Sequence, residues 1–233
     1  VDINRKKIEE LIDENYIYAS VLYYFGIKFY NYSEKTLQQV CLEKGLDIRQ
    51  VILSLEAVSN SDESQSPELS PYPIDIIIEY LKHTHYIFVK RKLPYIAKLI
   101  DELEDNARGY EFMVNDLKLA FPLFIEDFIH HIHEEEDTLF TYILLLNKFL
   151  EERSDPVKLF YEIGEHSISQ YGQEHDAHDD EMLGFKEITR NYLVLDPSHL
   201  HVRVLFAELQ SFEKALALEK EARVLLGKLA KLN

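Results

Sequence analysis

The chain has 233 residues, 46% of them hydrophobic, and 42 acidic against 25 basic side chains give it a formal charge of −17. A field of that sign opposes polyanions and argues against nucleic acid or an anionic membrane surface as a partner. The lone cysteine, Cys41, excludes an intrachain disulfide framework and any iron–sulfur or zinc site built from cysteines.

Few glycines and prolines, seven of each, among abundant Leu, Ile, Glu and Lys predict an all-α chain. Residues 1–58 read as a small helical domain. Ile3, Ile8, Leu11 and Ile12 open it, the aromatic-rich stretch from Asn15 to Phe25 follows, and Gly26 breaks the pattern. Ser33 is the expected N-cap of a helix over 34–43, Gly45 its end, and Asp47 the start of a last helix reaching Leu55. Residues 59–73, SNSDESQSPELSPYP, lack periodic apolar positions and read as a linker.

Residues 74–233 carry four long amphipathic patterns, for which a four-helix bundle is the economical solution. The first runs from Ile74 to Leu103 with Ile78, Leu81, His85, Phe88 and Ile96 on its buried face, and Pro94 is placed to kink it. The second puts Leu117, Phe121, Phe124, Phe128, His131, Glu135, Leu139, Tyr142, Leu146 and Phe149 on one stripe, at steps of three and four. The third starts at Asp155-Pro156 and aligns Ile168, Tyr171, His175, His178, Met182, Phe185 and Tyr192. The fourth follows Asp196-Pro197-Ser198 and aligns Val202, Leu205, Leu209, Phe212, Leu216, Glu219, Arg223, Leu226 and Ala230. No apolar run approaches ~20 residues and the start of the chain is charged, so the expectation is a soluble, cytoplasmic protein without membrane association.

Every one of these stripes is interrupted near its middle by groups that are costly to bury alone. They are His85, then His131 and Glu135, then His175 and His178, then Glu219 and Arg223. Histidines and carboxylates converging from facing helices are how bundles build metal sites, and this donor set suits iron, zinc or manganese. His85, His131, Glu135, His175 and His178 are the candidate ligands. His83, His130, His133, His166, His199 and His201 fall off the stripes or too far along them. The acidic run 134–137 reads as a solvated face from which only Glu135 turns inward. Tyr86 is a rival to His85 if the first helix is rotated slightly. No glycine-rich phosphate loop or nucleophile arrangement is present.

Several segments match a known pattern. His131-Ile-His-Glu-Glu135-Glu-Asp-Thr-Leu-Phe140 is similar to an H-x-x-x-E-E-x-x-L-F segment, Gln173-Glu-His175-Asp to an E-H-D segment, and the stretch from His83 to Pro94 to an H-H-x-x-x-x-x-x-L-P segment. In these the chain resembles the hemerythrin-like domain of the iron–sulfur cluster repair di-iron family. Phe25 to Phe29 and Cys41 to Leu46 resemble that family's short N-terminal domain. The resemblance implies a hemerythrin-like bundle holding two irons through four histidines and two bridging glutamates. It further implies repair of damaged iron–sulfur proteins under nitrosative or oxidative stress, with dioxygen or nitric oxide as ligands.

Three departures alter that implication. Counting back from Leu93-Pro94 puts Tyr86, not His85, at the family's first-helix histidine. Glu219 and Arg223 stand where the fourth helix should carry H-x-x-x-E, with Ala217 and Glu221 as the rival register. Tyr30-Asn31 replaces the cysteine pair of the N-terminal domain. Two expectations follow. One is an iron protein with an altered or mononuclear site. The other is a metal-free interaction or scaffold bundle in which Arg223, Glu135 and Glu219 replace the di-iron centre through charge-assisted hydrogen bonds. A mononuclear zinc hydrolase is a third reading, and both enzymatic activity and a homodimer are left open.

Overall fold

The structure is a computed structural model that describes residues 3–59, 68–104, 107, 109–152 and 182–232. Among these, every regular element is helical, apart from an isolated antiparallel bridge between Lys7 and Thr36. In chain order the α-helices are α1 (Ile8–Glu14), α2 (Tyr18–Tyr24), α3 (Leu37–Lys44), α4 (Ile48–Ser59), α5 (Ile74–Ile87), α6 (Leu93–Asp101), α7 (Glu111–Glu134), α8 (Thr141–Glu152), α9 (Leu183–Ile188) and α10 (Leu200–Leu232). Two π-helical turns, Phe88–Lys92 and Glu135–Phe140, join α5 to α6 and α7 to α8. None of the described helices is long and apolar enough to cross a membrane.

The chain divides into two compact units, one of residues 1–66 with 194–210 and one of residues 67–193 with 211–233. The first unit therefore takes in the start of α10 as well as the N-terminal helices. Its core is built from Ile8, Leu11, Leu22, Ile27, Phe29, Leu37, Val40, Val51 and Leu55, all fully buried. Arg203 ties α10 to α1 through Glu9 at 3.1 Å and Asp13 at 3.0 Å, and the His201 ring stacks on Tyr30.

Helix α3 begins later than the sequence predicts. The Ile8 and Glu9 amides bond to the carbonyls of Lys35 and Ser33, which holds residues 33–35 alongside the start of α1. Thr36, not Ser33, is therefore the cap: its Oγ1 accepts from the Gln39 amide while the Gln39 side chain accepts from the Thr36 amide. Gly45 ends the helix as predicted. Its φ of 66° lets the Leu46 and Gly45 amides bond back to Cys41 and Leu42, satisfying carbonyls the helix end would orphan.

In the second unit, Ile74, Ile77, Ile78 and Leu81 of α5 pack with Leu139, Phe140 and Ile143 and with Ala222 and Leu226 of α10. Pro94 opens α6 instead of kinking an unbroken helix. A missing N–H and a ring that clashes with the preceding turn make proline costly in an α-helical interior, and here the π turn lies immediately before it. The second π turn has a larger effect. A π turn holds an extra residue, so everything beyond it rotates on the helix. The predicted stripe through Tyr142, Leu146 and Phe149 is half-buried, and Phe140 and Ile143 are buried in its place.

Phe88, Phe121, Phe124, Phe128, Phe185 and Phe212 form one aromatic cluster across α7, α9, α10 and the first π turn. Helix α9 is followed by Arg190, Asn191 and Tyr192 at φ of 52°, 61° and 59°, a left-handed turn without glycine. Such residues cost roughly 1–2 kcal/mol each. Local bonds offset the cost: Thr189 Oγ1 accepts from the Tyr192 amide at 3.2 Å, and the Tyr192 hydroxyl donates to Glu213 at 3.1 Å. Most of the predicted third bundle helix, from Asp155 through His178, lies outside the described residues.

Candidate metal centre

His85 lies in the last turns of α5, Glu135 opens the second π turn, and Glu219 and Arg223 sit one turn apart on α10. A phenylalanine of the aromatic cluster lies close in sequence to each of the three ligand candidates, namely Phe88 beyond His85, Phe128 before Glu135 and Phe212 before Glu219. Burying that cluster fixes the three segments against one another and so places the polar groups.

His85, Glu135 and Glu219 are 2%, 0% and 4% exposed, and one ligand atom from each lies within 4.8 Å of the others. His85 Nε2 is 3.5 Å from Glu219 Oε1 and 3.7 Å from Glu135 Oε2. Metal–ligand bonds of ~2.1 Å in a tetrahedral arrangement would set donor atoms roughly 3.4 Å apart, close to both separations. The opposite ring nitrogen, Nδ1, is 2.8 Å from Glu136 Oε1. An ionised carboxylate can only accept, so Nδ1 carries the hydrogen and Nε2 faces the two glutamates. A carboxylate behind a histidine in this way orients metal-binding imidazoles. Phe140 lies parallel to the His85 ring, with centroids 5.8 Å apart.

Arg223 closes the other side. Its Nη2 donates to both oxygens of Glu219, at 2.7 and 2.6 Å, and its Nε to Oε1 at 3.2 Å. Nε also lies 2.8 Å from Glu135 Oε1, but without hydrogen-bond alignment, and neither oxygen of that fully buried carboxylate accepts a hydrogen bond. Glu135 is thus held by charge alone between the guanidinium and His85.

The protonation equilibria reflect this. Burial pushes the Glu135 carboxyl up to about 7, with Arg223 opposing and Glu219 reinforcing the rise. Burial opposes a charge on His85, yet Glu219, Glu135 and Glu136 together hold it above the usual imidazole value. Burial would also raise Glu219, but His85 and Arg223 keep it below the usual carboxylate range. A proton on His85 Nε2 and a metal ion are alternatives for one lone pair.

Among the expected ligands, His85 and Glu135 come together here. Tyr86 is 55% exposed, whereas His85 is buried beside Glu135 and Glu219. His131 is half-buried and lines a cleft of about 630 Å³ with Phe124, Phe128, Gly184 and Phe185, and it is not among the donors that converge with Glu135. His175 and His178 lie outside the described residues. Glu219 joins as a donor and Arg223 as its partner, the register of α10 being the one that the apolar stripe favours. Glu136 was not foreseen; it reads as part of a solvated acidic run, and nothing local marks it as a partner for His85. A buried His85–Glu135–Glu219 group able to hold a metal ion is therefore a feature of this fold. No protein-family model and no curated protein sequence matches the chain.

Proposed function

We propose that the protein is a hemerythrin-like four-helix bundle that binds one iron ion at His85, Glu135 and Glu219. Its role is the response of iron–sulfur proteins to nitrosative or oxidative damage. The observation that carries the metal is Glu135: a carboxylate with no accessible surface, both oxygens without a hydrogen bond, facing the Nε2 of a histidine whose other nitrogen is held by Glu136. Arg223 meets one of its oxygens by charge alone, and a cation between Glu135, Glu219 and His85 would supply the directed bonds that this buried carboxylate lacks. The neutral imidazole and carboxylate set suits iron, as it suits manganese or zinc. The choice of iron, the stress role, and dioxygen or nitric oxide as ligand all rest on the resemblance of the His83–Pro94, His131–Phe140 and Gln173–Asp176 segments. His175 and His178, the other candidate donors of the sequence, lie outside the described residues.

In this reading His85, Glu135 and Glu219 hold the ion, Glu136 orients the imidazole, and Phe140 shields it from water. Bound iron would supply an exchangeable position for a small diatomic ligand. A second reading, a metal-free scaffold, is favoured by the fork that Arg223 makes on Glu219 and its approach to Glu135. Metal analysis after anaerobic purification from iron-supplemented cells separates the two. About one iron per chain in the wild type, lost in His85→Ala, supports the iron site. Absence of iron from the folded wild type overturns it in favour of the scaffold.

A further inference from the structure

We infer that Arg223 is the specificity determinant of this site, matching its charge to a divalent ion and disfavouring a trivalent one. The inference rests on the metal reading above. Glu135 directs one oxygen at Arg223 Nε, 2.8 Å away, and the other toward His85 Nε2, 3.7 Å away. Glu219 is shared in the same manner, with both oxygens on Arg223 Nη2 and Oε1 also 3.5 Å from His85 Nε2. The two carboxylates therefore stand between a fixed cation on one side and His85 Nε2 on the other.

Ligation requires the carboxylates ionised and the imidazole neutral. Three carboxylates, Glu135, Glu136 and Glu219, set against one guanidinium then leave two negative charges around the ion. A divalent cation makes the group neutral, whereas a trivalent cation leaves a positive charge in a buried pocket, which is unfavourable. A guanidinium stays protonated under all relevant conditions and cannot relieve the excess by losing a proton. Its forked hold on Glu219 also keeps it from swinging out to solvent.

The test compares binding of Mn²⁺ and of Ga³⁺ presented as its citrate, two redox-inert probes, to wild type, Arg223→Gln and Arg223→Lys. Competition titrations give the affinities, and circular dichroism confirms that each variant is folded. Removing one positive charge a few ångströms from the ion raises the Ga³⁺-to-Mn²⁺ affinity ratio about tenfold or more in Arg223→Gln. In Arg223→Lys, which keeps the charge and loses the fork, the ratio stays near that of the wild type. An unchanged ratio in Arg223→Gln, with Mn²⁺ still bound by the wild type, overturns the role of Arg223 and leaves the metal site standing. A wild type that binds neither ion overturns both. If Arg223→Gln does not fold, Arg223→Met, which also removes the charge but keeps an apolar stem, takes its place with the same two outcomes, and a ratio shifted as far in Arg223→Lys overturns the role of the charge in favour of the fork.

Discussion

Arg223 Nε lies 2.8 Å from one oxygen of Glu135, while the other oxygen of that carboxylate is 3.7 Å from His85 Nε2. The pair is a buried charge contact without the alignment of a hydrogen bond. Breaking such a contact from one side strands a charge, whereas replacing both partners with apolar groups can cost little. Arg223→Ala should therefore destabilise the metal-free protein by about 2–4 kcal/mol, the partial exposure of the guanidinium trimming the usual penalty. Glu135→Leu combined with Arg223→Ala should cost less than Arg223→Ala alone. Urea denaturation of the four proteins of the cycle checks this, and additive costs would show that the two residues do not interact.

The protonation of Glu135 predicts a pH dependence. Its carboxyl is raised from 4.5 to about 7 in the fold, with burial as the main cause. The folded state thus holds a proton that the unfolded state releases, and the associated stability is complete below about 4.5 and lost as pH rises to about 7. Metal-free wild type should lose about 2–3 kcal/mol over that window relative to Glu135→Gln, whose side chain does not titrate. Thermal or urea unfolding of both proteins across the range measures the difference. Parallel profiles would contradict the assignment.

Glu136 holds the Nδ1 hydrogen of His85 at 2.8 Å. Glu136→Ala should weaken Mn²⁺ or Fe²⁺ binding by roughly 10–100-fold while leaving the fold intact, because the imidazole loses the partner that sets its tautomer and orientation. Glu136→Gln should recover part of the affinity through the amide oxygen. Isothermal titration distinguishes them, and equal affinity in all three proteins would remove Glu136 from the site.

Phe212 is fully buried in the aromatic cluster that fixes α10 against α7 and the first π turn. Phe212→Ala should cost about 3–5 kcal/mol in denaturant unfolding, the range for truncating a core phenylalanine. A cost below about 1 kcal/mol would mean that the cluster is not what sets these segments.

Much of this site is legible in the chain. A polar residue on an apolar stripe must be satisfied, and from the sequence alone that argument selects His85, Glu135, Glu219 and Arg223, which come together, but equally His131, which lines a cleft instead, and His175 and His178, which lie outside the described residues. It fails for Glu136, since an ideal helix turns that residue about 100° away from Glu135 and the acidic run reads as solvated; the two are the first residues of the second π turn, and both face His85. The same turn explains why Phe140 and Ile143 displace Tyr142 and Leu146 from the core. Periodicity assumes one helical pitch throughout, and no residue in the run marks where the pitch changes. The N-cap of α3 slips from Ser33 to Thr36 for a different reason: residues 33–35 bond to the start of α1, a tertiary contact that local propensity does not carry. The placement of residues 194–210 with the N-terminal helices is likewise set by contacts such as Arg203 with Glu9.

X-ray absorption at the iron edge, on protein purified anaerobically with iron, tests the central claim most directly. The account predicts nitrogen and oxygen neighbours at roughly 2.0–2.2 Å, imidazole scattering that falls in His85→Ala, and no metal–metal vector. A metal–metal vector, sulfur scattering, or an iron environment unchanged by His85→Ala would contradict a mononuclear site at His85, Glu135 and Glu219.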